Sequence, residues 1–352
     1  MPRNVTGQVL LVFLSLFLFD DVISRSCDDA KKGQERSGLS SEEPLRPVKD
    51  RFWRGPTHLG QISGISVDPW GYPVIFHRAD RLWGFFTFNK NNVYTEGVRG
   101  PITEDTVITL NPRDGEIVRG WGNNTFYLPH GIHIDIYGDV WLTDIALHQV
   151  FKYDRSGVLK LTLGERFMPG NDLKHFCQPT SVAMGSIHEI FIADGYCNSR
   201  IVVFTPSGHP IYSIDKSQMV LNVPHSLTVL SNGDLCVADR ENGRVVCVIG
   251  LVGSDSYITA GRIYSIPVPG RVFAVTSYND TIYTVDKMTC EFCSMGYTIN
   301  PYIQQVVDLW SSGFDFHNPH DIGISLNRKS LYVSEIGPNR VWKYELWKKT
   351  DL

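Results

Sequence analysis

Pairs of proline and histidine recur at a fixed interval along this chain of 352 residues. The pairs, with successive histidines 95 residues apart, are Pro129-His130, Pro224-His225 and Pro319-His320. Each pair opens a short apolar run that ends in an acid 14, 14 or 15 residues after the histidine, namely Asp144, Asp239 and Glu335. So many matched positions indicate that the chain is built from repeats, and a repeat limits the fold more than any single motif does.

Weaker copies of the same unit lie between the histidine repeats. They begin at Pro179 and Arg271, and a related segment from Ile62 to His77 starts the series. The six starts are 67, 50, 45, 47 and 48 residues apart, and each unit is rich in β-branched and aromatic residues. This period and composition are typical of four-stranded propeller blades. We therefore predict an all-β, six-bladed β-propeller with NHL-like repeats over residues 51–348.

The three histidines fall on the second, fourth and sixth repeats. In a blade, the start of the first strand and the end of the second strand share one mouth of the central channel, so His130, His225 and His320 should converge there. Neutral imidazole is a common zinc ligand, and three nitrogens leave a fourth zinc position open, as in catalytic sites. The alternative is that each Pro-His is a turn with a capping histidine, which does not explain the register of all three.

Three further polar residues follow the second strands of the first, third and fourth repeats and should face the same mouth. They are Arg78, Tyr196 and Arg240. Guanidinium groups would hold an anionic group such as a carboxylate, and zinc and arginine would favour the phenolate of a nearby tyrosine as a proton acceptor. Each residue also has an ordinary explanation, in which the arginines pair with blade aspartates and the tyrosine packs on a neighbouring blade.

The composition excludes some partners and indicates a compartment. The 33 basic and 37 acidic residues are too evenly balanced for a nucleic-acid partner. Residues 1–24 have the charge and the short apolar run of a secretory signal, and no segment reaches the ~20 apolar residues of a membrane span. We predict a protein that is secreted or resides in the secretory-granule lumen, with a disordered lead-in over residues 25–50.

Seven cysteines are consistent with an oxidising compartment. Cys236 and Cys247 flank a hairpin with an Asn-Gly turn, so they could face each other across adjacent strands. Cys177 lies just before the third repeat, and Cys197 lies just after its second strand. The remaining cysteines, Cys27, Cys290 and Cys293, are left unassigned, since the last two could pair or stay reduced. Two sequons predict glycosylation, at Asn123 and Asn279.

Several stretches together resemble the family of peptidyl-α-hydroxyglycine α-amidating lyases over roughly residues 52–347. The stretches are Tyr127-Leu-Pro-His-Gly131, Trp141-Leu-Thr-Asp144, His175-Phe-Cys-Gln-Pro-Thr180, Asp194-Gly-Tyr-Cys-Asn-Ser-Arg200, Val223-Pro-His-Ser-Leu227 and Cys236-Val-Ala-Asp-Arg-Glu-Asn-Gly-Arg244. The resemblance implies a zinc-dependent lyase that splits a peptidyl-α-hydroxyglycine into peptide amide and glyoxylate, the second step of peptide-hormone amidation. The substrate would come from a separate copper monooxygenase, and we expect the lyase to be a monomer.

The resemblance also implies roles for single residues. It matches His130, His225 and His320 to zinc ligands, Arg78 and Arg240 to active-site arginines, and Tyr196 to a catalytic base. It further implies a structural calcium held by Asp321 and by the carbonyls of Ile65 and Ile132. The disulfides that it implies are Cys177 with Cys197 and Cys236 with Cys247.

This chain departs from the family pattern at two positions. Asn318 stands where the family has methionine, two residues before the last zinc histidine, which makes the substrate pocket more polar. Ala79 stands where the family tends to have glycine, a mild change unless that backbone needs a positive φ. Two alternatives therefore stay open: a catalytically impaired propeller that binds peptides, and a calcium-dependent hydrolase of the lactonase kind.

Overall fold

The described residues form six antiparallel sheets of four strands each, and the chain runs through them in order. The computed structural model describes residues 43–186, 188–249, 262–288, 293–311, 316–327 and 329–351. Five of the sheets are built from four consecutive strands, as expected when each repeat makes one blade. The predicted six-bladed propeller is confirmed.

The strands are numbered β1 to β24 in chain order. The first half comprises β1 (Arg46–Lys49), β2 (Ile62–Val67), β3 (Pro73–His77), β4 (Val107–Leu110), β5 (Ile117–Trp121), β6 (Pro129–Ile134), β7 (Val140–Asp144), β8 (Gln149–Tyr153), β9 (Leu159–Leu163), β10 (Ser181–Met184), β11 (Ile190–Asp194) and β12 (Arg200–Phe204). The second half comprises β13 (Pro210–Ile214), β14 (Pro224–Val229), β15 (Leu235–Asp239), β16 (Arg244–Val248), β17 (Ile263–Pro267), β18 (Arg271–Tyr278), β19 (Thr281–Lys287), β20 (Gly296–Asn300), β21 (Gln305–Trp310), β22 (Pro319–Ser325), β23 (Ser330–Glu335) and β24 (Arg340–Trp347). Short 3₁₀ helices lie at Gly97–Arg99, Arg240–Asn242 and Lys349–Asp351.

The sixth blade takes its outer strand from the start of the described chain. Strand β1 pairs antiparallel with β24, with Arg46 opposite Trp347, so the two ends of the propeller close its ring. The prediction that residues 25–50 form a disordered lead-in is therefore wrong for Arg46–Lys49. The strand is short and polar, and it gains its hydrogen bonds only from a partner far away in sequence. Residues 1–42, including the predicted signal at 1–24 and Cys27, lie outside the described residues.

The apolar core is divided among the interfaces between blades. Each of the six buried clusters draws its side chains from two neighbouring blades. Neighbouring residues of one strand point to opposite interfaces, as Val237 packs toward the third blade and Ala238 toward the fifth. A strand buried on both faces needs an unbroken apolar run, which is why these repeats read as runs instead of alternating patterns. Each fully buried aliphatic side chain contributes about 1.5–3 kcal/mol.

In the second and sixth blades, the acid at the end of the second strand fixes the loop that leads into the first strand of the blade. In the second blade, the carboxylate of Asp144 accepts the backbone N–H groups of Tyr127 and Leu128, at 2.6 and 3.1 Å. Glu335 does the same for His317 and Asn318, at 2.6 and 2.8 Å. The acids that recur in the sequence are therefore structural anchors, and they set the backbone from which the Pro-His pairs project.

Both predicted disulfides are present. Cys177 bonds Cys197, and Cys236 bonds Cys247 between the paired strands β15 and β16. Cys293 is also disulfide-bonded. Cys290 lies outside the described residues. The side chains of the two predicted glycosylation residues, at positions 123 and 279, are exposed. None of the helices that the structure describes is long and apolar enough to cross a membrane.

A cavity of about 890 Å³ follows the first strands along the propeller axis. Its lining runs from His130, His225 and His320 at one end to residues such as Asp68 and Asp280 at the far ends of those strands. The histidines therefore form a layer across the channel.

Candidate metal centre and active site

The three histidines project into the channel because each one sits in a β-bulge. In the fourth blade, Pro224 pairs with Asp239 and Ser226 with Ala238, which leaves His225 as the extra residue between them. The register shifts in the same way at His320 and at His130. A bulge frees one residue from the ladder and re-aims its side chain, so the Pro-His motif marks the point where the first strand turns its histidine inward.

Each histidine is oriented by a backbone carbonyl on the next blade around the ring. The Nδ1 atoms of His130, His225 and His320 lie 2.9, 2.6 and 2.7 Å from the carbonyl oxygens of Thr180, Phe273 and Ser63. Phe273 and Ser63 are themselves the extra residues of bulges, so their carbonyls are available outside the ladder. Because a carbonyl can only accept, Nδ1 carries the proton, and the lone pair of each ring is on Nε2.

The three rings form a nearly equal-sided triangle. Their centroids are 4.8, 5.0 and 4.8 Å apart, and their possible ligand atoms all lie within 4.8 Å of one another. Burial holds the pKa of His130 and of His225 well below the ordinary value, and the neighbouring His320 adds to this. Burial, with Arg78 and Arg240, lowers the pKa of His320 to about 3. The rings are therefore neutral at physiological pH, the form in which imidazole binds metals.

Tyr196 reaches into this triangle from the end of the third blade's second strand. Its hydroxyl oxygen lies 2.9 Å from Nε2 of His130 and 3.1 Å from Nε2 of His225. Burial raises the pKa of the Tyr196 phenol, and the positive charges of Arg240 and Arg78 oppose this rise. The net direction is opposite to the lowering expected from the cations, because here the loss of water outweighs the two guanidinium groups.

Arg78 is buried behind the histidines at the end of β3. Its Nε donates to the carbonyl of Pro129 at 2.8 Å, and its Nη1 donates to the side chain of Gln61 at 3.0 Å. Its Nη2 is buried and has no partner among the described residues. Burial lowers the pKa of Arg78 to about 10, so the group remains cationic. A buried donor without a partner is costly unless a ligand accepts from it, which makes Nη2 a candidate contact for an oxyanion.

The residue after Arg78 adopts the backbone that only glycine takes without strain. Ala79 has a φ of 46°, which is left-handed. The alanine is therefore not a neutral replacement at this position, because the left-handed region costs an L-residue about 1–2 kcal/mol.

Arg240 covers the site from the fourth blade. Its Nη1 lies 3.4 Å from the Tyr196 hydroxyl, and its guanidinium carbon lies 5.2 and 5.0 Å from the ring centroids of Tyr196 and Phe273. Glu241 pairs with it at 2.8 Å. Arg240 is only partly exposed, and the two rings and the ion pair fix its position at the mouth.

Sequence reasoning missed Trp83, which packs edge-on against the phenol of Tyr196 with ring centroids 4.6 Å apart. Trp83 also lies beneath Arg78 and beside Phe88. Arg78, Trp83 and Phe88 all belong to the long connection between β3 and β4 in the first blade. One feature of the sequence does indicate this connection. The starts of the first two repeats are 67 residues apart, about twenty more than the other four spacings, which marks an insertion at this mouth.

The residues predicted to hold calcium lie together in the channel, beyond the histidine layer. Asp321, Ile65 and Ile132 all line the cavity. The carboxylate of Asp321 accepts the N–H groups of Ile65 and Ile322, each at 2.9 Å, and burial raises its pKa to about 7. Carboxylate and carbonyl oxygens are the donors that a hard cation prefers, so the chemistry of these residues fits calcium.

Asn318 lies half-buried next to the site, two residues before His320. Its Oδ1 accepts a hydrogen bond from the ammonium group of Lys287, at the end of β19. The thioether of a methionine at this position would be only a weak acceptor for that bond. Asn318, the residue that departs from the family pattern, therefore has a specific hydrogen-bond partner in Lys287.

Two of the repeats and the overall fold have counterparts among known proteins. The NHL repeat family model matches residues 176–204 and 221–248, which are the third and fourth blades. A gluconolactonase of Xanthomonas campestris superposes with a TM-score of 0.57 at 11% identity, covering 88% of this chain and 99% of that one. At this identity the likeness shows the fold alone.

Comparison with curated proteins indicates the family as well as the fold. The chain is 44% identical over 310 residues to peptidyl-α-hydroxyglycine α-amidating lyase 2 of Drosophila melanogaster, covering 85% of this chain and 76% of that protein. It is 34% identical over 299 residues to a probable lyase of the same name from Caenorhabditis elegans, covering 82% and 83%. It also matches 32% of the length of the rat peptidylglycine α-amidating monooxygenase, at 39% identity over 85% of this chain. The chain therefore belongs to the peptidyl-α-hydroxyglycine α-amidating lyase family.

Proposed function

We propose that this protein is a zinc-dependent lyase that splits a peptidyl-α-hydroxyglycine into a peptide amide and glyoxylate. The observation that carries the proposal is the position of the Tyr196 hydroxyl, within hydrogen-bonding reach of Nε2 on both His130 and His225. A proton acceptor stands there beside a cluster of metal-type ligands, and two arginines border it. That combination suits removal of a proton from a substrate hydroxyl.

The residues that would hold zinc are His130, His225 and His320, through Nε2. Their Nδ1 protons are already given to three backbone carbonyls, which is the support that metal-binding histidines usually have. Bound zinc would supply Lewis acidity that makes a hydroxyl more acidic. Calcium would be held by Asp321 and the carbonyls of Ile65 and Ile132, as a structural ion.

The reaction needs one proton moved and one bond broken. Tyr196 takes the proton of the α-hydroxyl group as phenolate, a form that Arg78 and Arg240 favour against the effect of burial and that the charge of a bound zinc would favour further. The hydroxyl oxygen then forms the aldehyde C=O of glyoxylate, and the C–N bond breaks with its electron pair going to the amide nitrogen. That nitrogen takes up one proton, so the overall reaction neither gains nor loses protons.

The arginines provide positive charge on either side of the tyrosine. Arg78 has a buried Nη2 that can donate to the developing oxyanion or to the phenolate. Arg240, closer to the solvent, can donate to the substrate carboxylate. Trp83 and Phe273 exclude water around Tyr196 and Arg240, which strengthens each of these charge interactions.

We place this reaction outside the cytosol. Two disulfides and the short apolar run at the N-terminus support secretion or a secretory-granule lumen. The substrates would be peptides hydroxylated at a C-terminal glycine by a separate copper monooxygenase, and we propose that the lyase acts as a monomer.

The proposal is tested by giving the purified protein a synthetic α-hydroxyglycine peptide and measuring amide and glyoxylate together. Equal amounts of the two products support the lyase. Tight peptide binding with no products would instead support a binding propeller. The hydrolase alternative is disfavoured because the candidate metal cluster among the described residues consists of three histidines and not of carboxylates.

A further inference from the structure

A second cationic position borders the candidate active site, and no role described above uses it. Lys287 is the last residue of β19, and its ammonium group donates to Oδ1 of Asn318. Asn318 is held in place from behind, because its backbone N–H donates to Glu335 at 2.8 Å. Lys287 is therefore tied to the loop that carries His320.

The charge of Lys287 has no carboxylate partner within ion-pair distance among the described residues. Asp286, its neighbour in sequence, points elsewhere and accepts from the Tyr297 hydroxyl and the Met295 N–H, both at 2.8 Å. The one charged group that shifts the pKa of Lys287 is another cation, Arg271, which adds to the lowering by burial. A half-buried ammonium whose hydrogen-bond acceptor is a neutral amide is poorly compensated, so an anionic ligand would be favoured beside it.

This charge reaches the histidine layer. The hydrogen bond of Lys287 to Asn318 brings the ammonium group to the loop that carries His320, and Arg78 and Arg240 are the other two cations of the candidate site. Arg240 pairs with Glu241, and Arg78 is completely buried. Of these three cations, Lys287 is the one that is neither completely buried nor paired with a carboxylate among the described residues.

The amide of Asn318 is oriented by the same contact. An ammonium group has only donors, so the oxygen of the amide must face Lys287, and the Nδ2 group must face away. The ammonium group of Lys287 and the Nδ2 group of Asn318 can therefore each donate an N–H to a ligand. Two donors of this kind, one of them charged, match the two oxygens of a carboxylate.

We propose that Lys287 and Asn318 form a carboxylate-binding subsite of the candidate active site. The subsite rests on the proposed function, since its ligand is a carboxylate of the peptide substrate. That carboxylate is either the terminal group of the hydroxyglycine, which Arg240 would then share, or the side chain of an acidic residue just before it. Methionine in place of Asn318 would remove one donor and replace the amide oxygen that holds the lysine with a weak acceptor.

The test compares wild type with Lys287→Met, which keeps the length of the side chain and removes its charge. Calorimetry measures binding of four peptides: two ending in glycine, which carry the carboxylate but no α-hydroxyl to deprotonate, and their two C-terminal amides. One peptide of each pair has alanine before the last residue, and the other has glutamate. Lys216→Met, at an exposed turn of the third blade, is the matched control.

We expect Lys287→Met to weaken binding roughly tenfold, the usual effect of losing a charged hydrogen bond. If the terminal carboxylate is the ligand, both glycine peptides weaken and both amides do not. If the side chain is the ligand, only the two glutamate peptides weaken. Asn318→Met, which leaves the lysine in place, should show the same pattern with a smaller loss. Equal binding of all four peptides by wild type and Lys287→Met would overturn the subsite.

The subsite and the proposed lyase function can fail separately. Wild type that binds the glycine peptides through Lys287 but releases no glyoxylate from hydroxylated ones keeps the subsite and loses the lyase. Wild type that turns the substrate over at the same KM as Lys287→Met keeps the lyase and loses the subsite.

Discussion

The hydroxyl of Tyr196 lies 2.9 Å from Nε2 of His130, the one nitrogen of that ring that the fold leaves without a backbone partner. The same hydroxyl is 3.1 Å from Nε2 of His225. The tyrosine and the candidate zinc ligands thus form one unit. A substrate hydroxyl bound at this point would meet the proton acceptor and the metal ligands together.

Replacing Tyr196 with phenylalanine should slow glyoxylate release by roughly 10²- to 10⁴-fold, because it removes only the proton acceptor. Zinc content and thermal stability should stay close to wild type. Tyr212→Phe, in the outer strand of the same blade, serves as the control and should keep full activity. A Tyr196→Phe variant with near-normal kcat would show that another group takes the proton.

The histidine triangle should bind about one zinc per chain, and His225→Ala should lose it together with the activity. Elemental analysis of the purified proteins measures the metal directly. His209→Ala, which alters an exposed histidine on the outer part of the third blade, should keep its zinc. Equal zinc content in the two variants would argue against the site.

Ala79→Gly should stabilise the protein by roughly 0.5–1 kcal/mol. Relief of the left-handed strain at a φ of 46° is partly offset by the greater freedom of glycine in the unfolded chain. Chemical denaturation gives the free energy of unfolding for both proteins. Ala193→Gly, in the regular strand β11, should instead destabilise. If Ala79→Gly lowers stability as much as this control does, the backbone strain is not real.

A buried histidine away from the metal ligands should make stability depend on acid pH. Burial lowers the pKa of His148 from its ordinary 6.5 to about 4, and its Nδ1 accepts the N–H of Gln178 at 3.0 Å. The neutral ring is the folded form, so the unfolded chain takes up this proton first. The stability that His148 contributes is complete above pH 6.5 and is lost as the pH falls toward 4, by at most about 1.4 kcal/mol per pH unit.

His148→Asn tests this, because asparagine can accept the same N–H and tolerates the φ of 56° at this position. The difference in unfolding free energy between wild type and His148→Asn should shift by roughly 3 kcal/mol toward the variant between pH 7 and pH 4. Other buried histidines titrate equally in both proteins, so the comparison isolates this one. A difference that is constant with pH would mean that His148 is already protonated or exposed.

The sequence was sufficient to predict the ring of six blades and the position of the three histidines within it. A spacing of 95 residues covers two repeats, so the three histidines had to fall on alternate blades and face one mouth. The same logic placed Arg78, Tyr196 and Arg240 at the ends of second strands. The family resemblance, now supported by curated relatives, assigned roles that spacing alone could not assign.

Other features depend on contacts that no local pattern contains. Strand β1 is four residues long and gains its stability from β24, at the other end of the chain. The carbonyls that orient the histidines belong to neighbouring blades, and two of them are free because Ser63 and Phe273 sit in bulges. The contact between Lys287 and Asn318 likewise joins two blades, so only the folded structure places those side chains together.

The most direct test of this account is the release of glyoxylate from a synthetic α-hydroxyglycine peptide by the zinc-loaded protein. Wild type should produce glyoxylate and peptide amide in a one-to-one ratio, and Tyr196→Phe with the same zinc content should produce both at least a hundred times more slowly. Wild type that holds zinc and binds the peptide, yet releases no glyoxylate above the rate of the peptide alone in buffer, would contradict the account.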